Sequence, residues 1–432
     1  MWRLSLTAVF FFLGSLGAAG ELVASAEETE KEEESFSFDA AAFEKKPFEW
    51  GGFFELKGAQ LVLDRDARLR GTNPLPQDSD KLLHQAFGLV DLNAQMRKGV
   101  VTAHGHLRGL AESGQQGFSN GLRLFRLSLA AQPITFLHLE VGKTMLRWGK
   151  GYAFNPVAFV DRPKDPGDPE EALEGYYLAR AELTKSFDGP LKTLTLSFAM
   201  IPVHEGVNED FGRLGYENFA GKLSLLLFDA DIDFVALSGG SRSVRYGVDF
   251  AYNLTTNLAV HAEAAYFPDA PVPHLSLDNP PQLEKRAGAQ SLVGARYLSP
   301  QETTYILEYY YNNIGVSPDQ MDLFYALLES QAPGDVDMTF REPYLVPFPM
   351  RHYLYARVSQ KEPFDILDFF PSLMGIVNLE DGSFTITPEL LYKGVTNLEF
   401  RLRGALIIGG SNTDFGERPN DARIELRVRY FF

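Results

Sequence analysis

The sequence predicts an all-β fold: a closed antiparallel β-barrel of about eighteen strands that crosses a membrane, with short turns on one rim and long loops on the other. Three observations predict it. Apolar residues recur with period two from Trp50 to Phe432. The connections between these segments alternate between tight turns and mostly longer loops. Beyond the N-terminus, no segment is apolar for the ~20 residues that a membrane-spanning helix needs.

Two segments precede the barrel. Met1-Trp2-Arg3 is a short positive start, Leu4 to Leu16 an apolar run and Ala24-Ser25-Ala26 a small-x-small cleavage site, so residues 1–26 read as a secretory signal peptide. Residues 27–49 read as a flexible, acidic periplasmic leader, with six Glu and one Lys between Glu27 and Glu34. The barrel takes 50–432. A formal net charge of −17 argues against a nucleic-acid partner, which requires a basic face. With no cysteine, neither disulfides nor thiolate metal sites are available, and stability has to come from burial and strand pairing.

The strands follow from alternation. Leu194, Leu196, Phe198 and Met200 share one face against Thr193, Thr195, Ser197 and Ala199. Val244, Tyr246, Val248, Phe250 and Tyr252 stand against Arg245, Gly247, Asp249, Ala251 and Asn253, and Leu398, Phe400, Leu402 and Leu406 against Glu399, Arg401 and Arg403. In order, the expected strands are 50–64, 84–97, 100–112, 121–131, 134–145, 174–187, 191–202, 216–228, 230–239, 244–253, 257–267, 287–298, 303–313, 350–361, 364–378, 383–393, 395–409 and 421–432. Lys98-Gly99, Gln132-Pro133, Asp188-Gly189-Pro190, Asp229, Thr255-Thr256, Pro300-Gln301, Glu362-Pro363 and Gly394 supply the tight turns. An even strand number keeps both chain ends on the periplasmic side. The count falls to sixteen if Phe369 to Glu380 or the short pair near Gly239 does not form strands; either size leaves room for an aqueous channel.

The last strand is the sharpest local signal. Ile424, Leu426, Val428, Tyr430 and Phe432 form an unbroken apolar face. This pattern resembles the β-signal that the barrel-assembly machinery reads in Gram-negative outer-membrane proteins. The resemblance implies that machinery and outer-membrane lipid as partners, a location in the Gram-negative outer membrane, and Val428, Tyr430 and Phe432 as assembly-signal residues. A second segment, Gly142-Lys143-Thr144-Met145-Leu146-Arg147-Trp148-Gly149-Lys150-Gly151-Tyr152-Ala153-Phe154-Asn155-Pro156, is similar to a motif of poorly characterised proteobacterial porin-like barrels. Those are described as porins or exporters; no binding residue carries over.

That motif opens a long loop, from about Arg147 to Leu173, in which Gly149, Gly151, Pro156, Pro163, Pro166 and Pro169 exclude regular structure. Asp161, Asp165, Asp168, Glu170 and Glu171 make it acidic. It either folds inward as a constriction or stays on the surface. A second insertion, Gly315 to Met350, carries a helical face at Met321, Phe324, Tyr325 and Leu328 within Asp319 to Gln331, placed either over the lumen or, slightly favoured, on the rim.

Charged residues fall on the expected lumen face: His104, His106 and Arg108; Arg180 and Glu182; Arg245 and Asp249; His261 and Glu263. Arg357, Arg401, Arg403, Arg427 and Arg429 form a basic group, with Glu399 and Glu425 nearby to offset it. Opposed Arg and Glu side chains either brace the wall or, as rings of charge, set ion selectivity; on the second reading these arginines and Asp165, Asp168, Glu170 and Glu171 are the candidate selectivity residues.

No catalytic, cofactor-binding or metal-ligating residue is expected. His104 and His106 share a face without a clustered Ser, Asp or third ligand, and no phosphate loop, haem-attachment or dinucleotide motif occurs. The segment before the first strand is too short for the plug of a TonB-dependent receptor. The leading function is a porin-like channel for passive diffusion of small hydrophilic solutes or ions. The alternative is a sheath whose lumen houses a periplasmic partner, such as a multihaem cytochrome in an electron-transfer conduit. A homo-oligomer is also left open.

Overall fold

Strands with one apolar and one polar face have to hide the first from water and pair both edges; closing the sheet on itself does both when the apolar face meets lipid. The computed structural model describes residues 47–69, 81–114, 117–164, 174–275, 282–330 and 344–432. In the unit Pro47–Phe432 these build β1 (Phe48–Leu63), β2 (Leu82–Lys98), β3 (Val101–Gly114), β4 (Gly117–Ile134), β5 (Leu137–Thr144) and β6 (Tyr176–Ser186). Next come β7 (Leu191–Val203), β8 (Tyr216–Leu227), β9 (Ala230–Ser238), β10 (Arg245–Asn253), β11 (Leu258–His274) and β12 (Gln282–Leu298). The ring is completed by β13 (Thr303–Asn312), β14 (His352–Gln360), β15 (Phe369–Asn378), β16 (Phe384–Val395), β17 (Leu398–Ile408) and β18 (Asn420–Phe431), with one helix, α1 (Pro318–Ser330), between β13 and β14.

Each strand pairs antiparallel with its sequence neighbours, and β1 pairs with β18, so all eighteen expected strands form one closed sheet. The sixteen-strand count is excluded. The signal peptide and the leader up to residue 46 lie outside the described residues.

Three turns differ from the sequence reading, and β4, β11 and β12 run further toward the long loops than expected. Gln132-Pro133 lies inside β4, at an irregularity in register between Ala131 and Ile134, and the turn follows at 135–136. A bulge there tolerates a residue that has no N–H to donate. Gly394 likewise lies inside β16 beside a shift between Tyr392 and Val395, and the turn falls at 396–397, where Asn397 takes φ 61°. Residues 361–368 form a longer turn, with left-handed backbone at Glu362, Phe364, Asp365 and Asp368, so β15 starts later than expected.

The alternation resolves into two surfaces. Trp50, Phe54, Leu56, Leu127, Val141, Phe198, Leu307, Leu402, Ile424, Leu426 and Tyr430 are exposed on the outer face. Asp91, Glu140, Asp233, Asp249, Glu263, Glu308, Arg401 and Arg427 are buried on the inner face. The apolar core sits inside the barrel too, where connecting segments pack on the inner wall. One cluster joins Met321, Phe324 and Tyr325 of α1 to Tyr310, Tyr353, Tyr355 and Ile376 of β13–β15. The helix therefore lies against the lumen wall rather than on the rim, contrary to the slightly favoured sequence reading. The aromatic side chains that β13 and β14 turn inward supply the apolar surface it needs.

Candidate functional site

The long loop after β5 folds into the barrel. Its first turn is tied off by Asp161, whose carboxylate accepts the N–H groups of Leu146 (3.2 Å), Arg147 (3.0 Å) and Trp148 (2.8 Å). The chain then crosses the inner wall. Glu263 on β11 accepts N–H groups from Lys150, Gly151 (2.7 Å) and Val157 (3.1 Å), and Glu308 on β13 accepts those of Tyr152 (2.6 Å) and Ala153 (2.8 Å) as well as a 2.7 Å contact from the His261 ring. Backbone donors of an irregular loop have no partners of their own, and two buried carboxylates answer both needs together. Gly151 has to be glycine: a Cβ there would collide with the Phe154 carbonyl and the Leu292 side chain. Trp148, Val157, Phe159 and Val160 seal the loop onto inward residues of β6, β7, β9 and β11, among them Tyr176, Ile201, Leu237 and Phe267. Of the two placements open from sequence, the described part of the loop takes the inward one. Asp165, Asp168, Glu170 and Glu171 lie outside the described residues.

Lys150, at the deepest point of the loop, reaches three aspartates on neighbouring strands: Asp231 at 2.7 Å, Asp233 at 3.2 Å and Asp249 at 3.6 Å. Burial works against its charge, but the bond to Asp231 and the fields of Asp233 and Asp249 outweigh it and hold the ammonium above its ordinary range. Lys164, which donates to the Gly151 carbonyl at 2.8 Å, shows the opposite balance: burial pushes it down, and the more distant Glu263 and Glu308 only partly compensate.

Above this contact, on the side of the long loops, the loop leaves a cavity of about 830 Å³. Among the described residues, Arg147, Arg162, Lys164, Arg242 and Arg245 line it, with Asp161 as the one acidic side chain and Trp148, Phe154, Tyr310 and Phe348 as the aromatic ones. Arg162 is paired with Glu174 and Asp210. Among the described residues, no carboxylate lies within ion-pair distance of Arg147, Lys164, Arg242 or Arg245. Arg242 instead bonds the Phe211 and Phe159 carbonyls and stacks on the Phe211 ring at 3.8 Å. A second cavity of about 400 Å³ is bordered by His104, His106, Arg126, Arg147 and Glu49. His106 contacts Asp91 at 2.9 Å beside Arg108, so this histidine braces the wall.

The expected basic group on β17 and β18 assembles, with Arg401 opposite Arg427 in register. It is more balanced than the sequence suggested. Besides Glu399 and Glu425, Glu389 on β16 pairs with Arg403 and lies 3.8 Å from Arg401, and Glu55 on β1 pairs with Arg429. Those two carboxylates were missed because they arrive through strand pairing across the β16–β17 and β18–β1 seams. Arg357 faces inward on β14, three strands from β17. Glu308, Asp231 and Asp233 were also missed, although a charged residue at an inward position within Thr303–Asn312 or Ala230–Ser238 is a readable signal.

A closed eighteen-strand barrel whose lumen is narrowed by an inward-folded loop defines a porin-type architecture. Comparison with solved structures agrees on the fold. The chain is similar to a BenF-like porin from Pseudomonas fluorescens Pf-5 (TM-score 0.53, 11% identity, 89% of this chain and 98% of that one). It is likewise similar to Pseudomonas aeruginosa OccK5 (OpdH) (0.51, 13%, 89% and 98%) and OprD (0.51, 11%, 90% and 97%). No protein-family profile and no curated protein sequence matches the chain.

Proposed function

We propose that this protein is an outer-membrane channel for passive diffusion of small hydrophilic solutes, with a preference for anions. The observation that carries the reading is the 830 Å³ cavity of the lumen, lined by four basic side chains, Arg147, Lys164, Arg242 and Arg245, that have no carboxylate partner among the described residues. A local positive field of that kind governs which ions enter, whatever the net charge of the whole chain. The porin-type fold and the names of the similar structures, a BenF-like porin among them, support a channel. The alternative of a sheath around a folded partner is disfavoured by the loop and α1, which fill inner-wall surface that such a partner would have to touch.

The test is reconstitution in planar bilayers. Discrete conductance steps are expected, with reversal potentials under a KCl gradient that favour chloride. Absence of conductance from heat-modifiable, folded protein would overturn the channel, and potassium preference would overturn the anion assignment.

A further inference from the structure

The acidic pole of the lumen is met by two lysines, one from the wall and one from the loop. Asp231, Asp233 and Asp249 project inward from β9 and β10, and Asp249 stands directly opposite Asp233 in register. Both carboxylate oxygens of Asp249 and one of Asp233 lack a hydrogen-bond partner. Two ammonium groups face these three carboxylates: Lys222 on β8, 3.2 Å from Asp233, and Lys150 from the loop, within 3.6 Å of all three. The Asp231 side chain is 48% exposed, so the group borders open lumen. In the ring of eighteen strands β10 is nine places from β1, which puts the aspartates on the wall opposite the arginine ladder of β17, β18 and β1.

We propose that Lys150 is a specificity-determining residue: a tethered counter-ion, delivered by the loop, that offsets part of a cation-attracting wall and so shifts the lumen's field toward basic. The inference rests on the channel reading above. Backbone bonds to Glu263 and Glu308 already hold the loop in place, so the ammonium is not needed for anchorage alone. With Lys150 in position these three carboxylates face two ammonium groups, and without it one ammonium remains; a fourth carboxylate, Glu263, stands opposite Asp249 in register but is taken up by loop N–H groups.

Lys150→Gln keeps a long polar side chain and removes the charge. In planar bilayers the chloride-to-potassium permeability ratio of this variant should fall roughly threefold to tenfold, as expected for one charge removed within a screening length of the permeating ion. Asp231→Asn in the wild-type background should move the ratio the other way, and the two changes together should return it toward wild type. Lys150→Arg should keep it. Heat-modifiability shows whether each variant has folded; if Lys150→Gln does not fold, the Asp231→Asn arm alone decides. Altered conductance with an unchanged ratio in Lys150→Gln, or no shift in Asp231→Asn, would overturn the proposal and leave Lys150 as a structural tether. A wild type that does not conduct would instead overturn the channel reading itself.

Discussion

Glu263 is a buried carboxylate that an apolar environment would penalise heavily, yet three N–H groups of one loop converge on it, with the Asn155 amide at 3.4 Å. The bonds run one way: the wall supplies the acceptor and the loop only donors. Glu263→Gln keeps the shape but replaces one acceptor oxygen with an NH2 group, which cannot accept. Unpaired loop donors then cost about 1–3 kcal/mol, enough to populate arrangements in which the constriction is loose. The variant should show a higher mean conductance and more open-channel noise than wild type at the same expression level. A wild-type trace would mean that the apolar seal at Trp148 and Val157 holds the loop without the carboxylate. None of this anchoring can be read locally, because backbone donors have no residue signature; only the glycines and prolines of the loop show that regular structure is absent.

At the scale of elements, α1 has the most direct readout. Its buried face of Met321, Phe324 and Tyr325 meets inward aromatics of β13 and β14, with Phe324 stacked on Tyr344 at 4.3 Å. Neither β13 nor β14 depends on the helix for edge pairing, since each has strand partners on both sides. Replacing Pro318–Ser330 with a short Gly/Ser linker should therefore leave the amount of folded barrel near wild type while raising conductance. Unchanged conductance would return the helix to the rim. The helix itself was legible from its 3.6-residue pattern, but its docking side was not: an amphipathic face looks the same whether its partner is an outer rim or an inner wall. The clue lay in Tyr310, Tyr353 and Tyr355, bulky aromatics at positions whose alternation assigns them to a wet lumen. Strands were legible for the opposite reason. Lipid outside and water or charge inside impose period two on every one of them, and only bulges such as those at Pro133 and Gly394 blur the ends. The balance of the arginine ladder required Glu55 and Glu389, which register brings to it and local pattern cannot.

The molecule as a whole depends on one seam. Seventeen hairpin contacts join strands adjacent in sequence, whereas β1 and β18 meet only when the two ends of the barrel segment come together, in register from Phe53 opposite Phe431 to Leu63 opposite Asn420. Until they do, both edges offer unpaired backbone groups to lipid, which a spanning sheet does not tolerate. Phe432 closes the periplasmic end of that seam: its N–H donates to the Gly52 carbonyl at 3.1 Å, and its ring lies 5.0 Å from Phe54 and 5.9 Å from Trp50. Val428 and Tyr430 continue the same outward face. Deleting Phe432 should sharply lower the heat-modifiable folded form in outer membranes, as quantified by shift on unheated gels. Two causes would produce that loss, and refolding of the purified chain into lipid vesicles separates them. Reading of the terminal aromatic by the assembly machinery predicts near-normal yield in vesicles and loss only in cells, whereas a purely structural role in the seam predicts loss in both. Wild-type levels in cells would show that neither the signal nor the seam requires this residue, and that the pairing from Phe53 to Leu63 is sufficient to close the barrel.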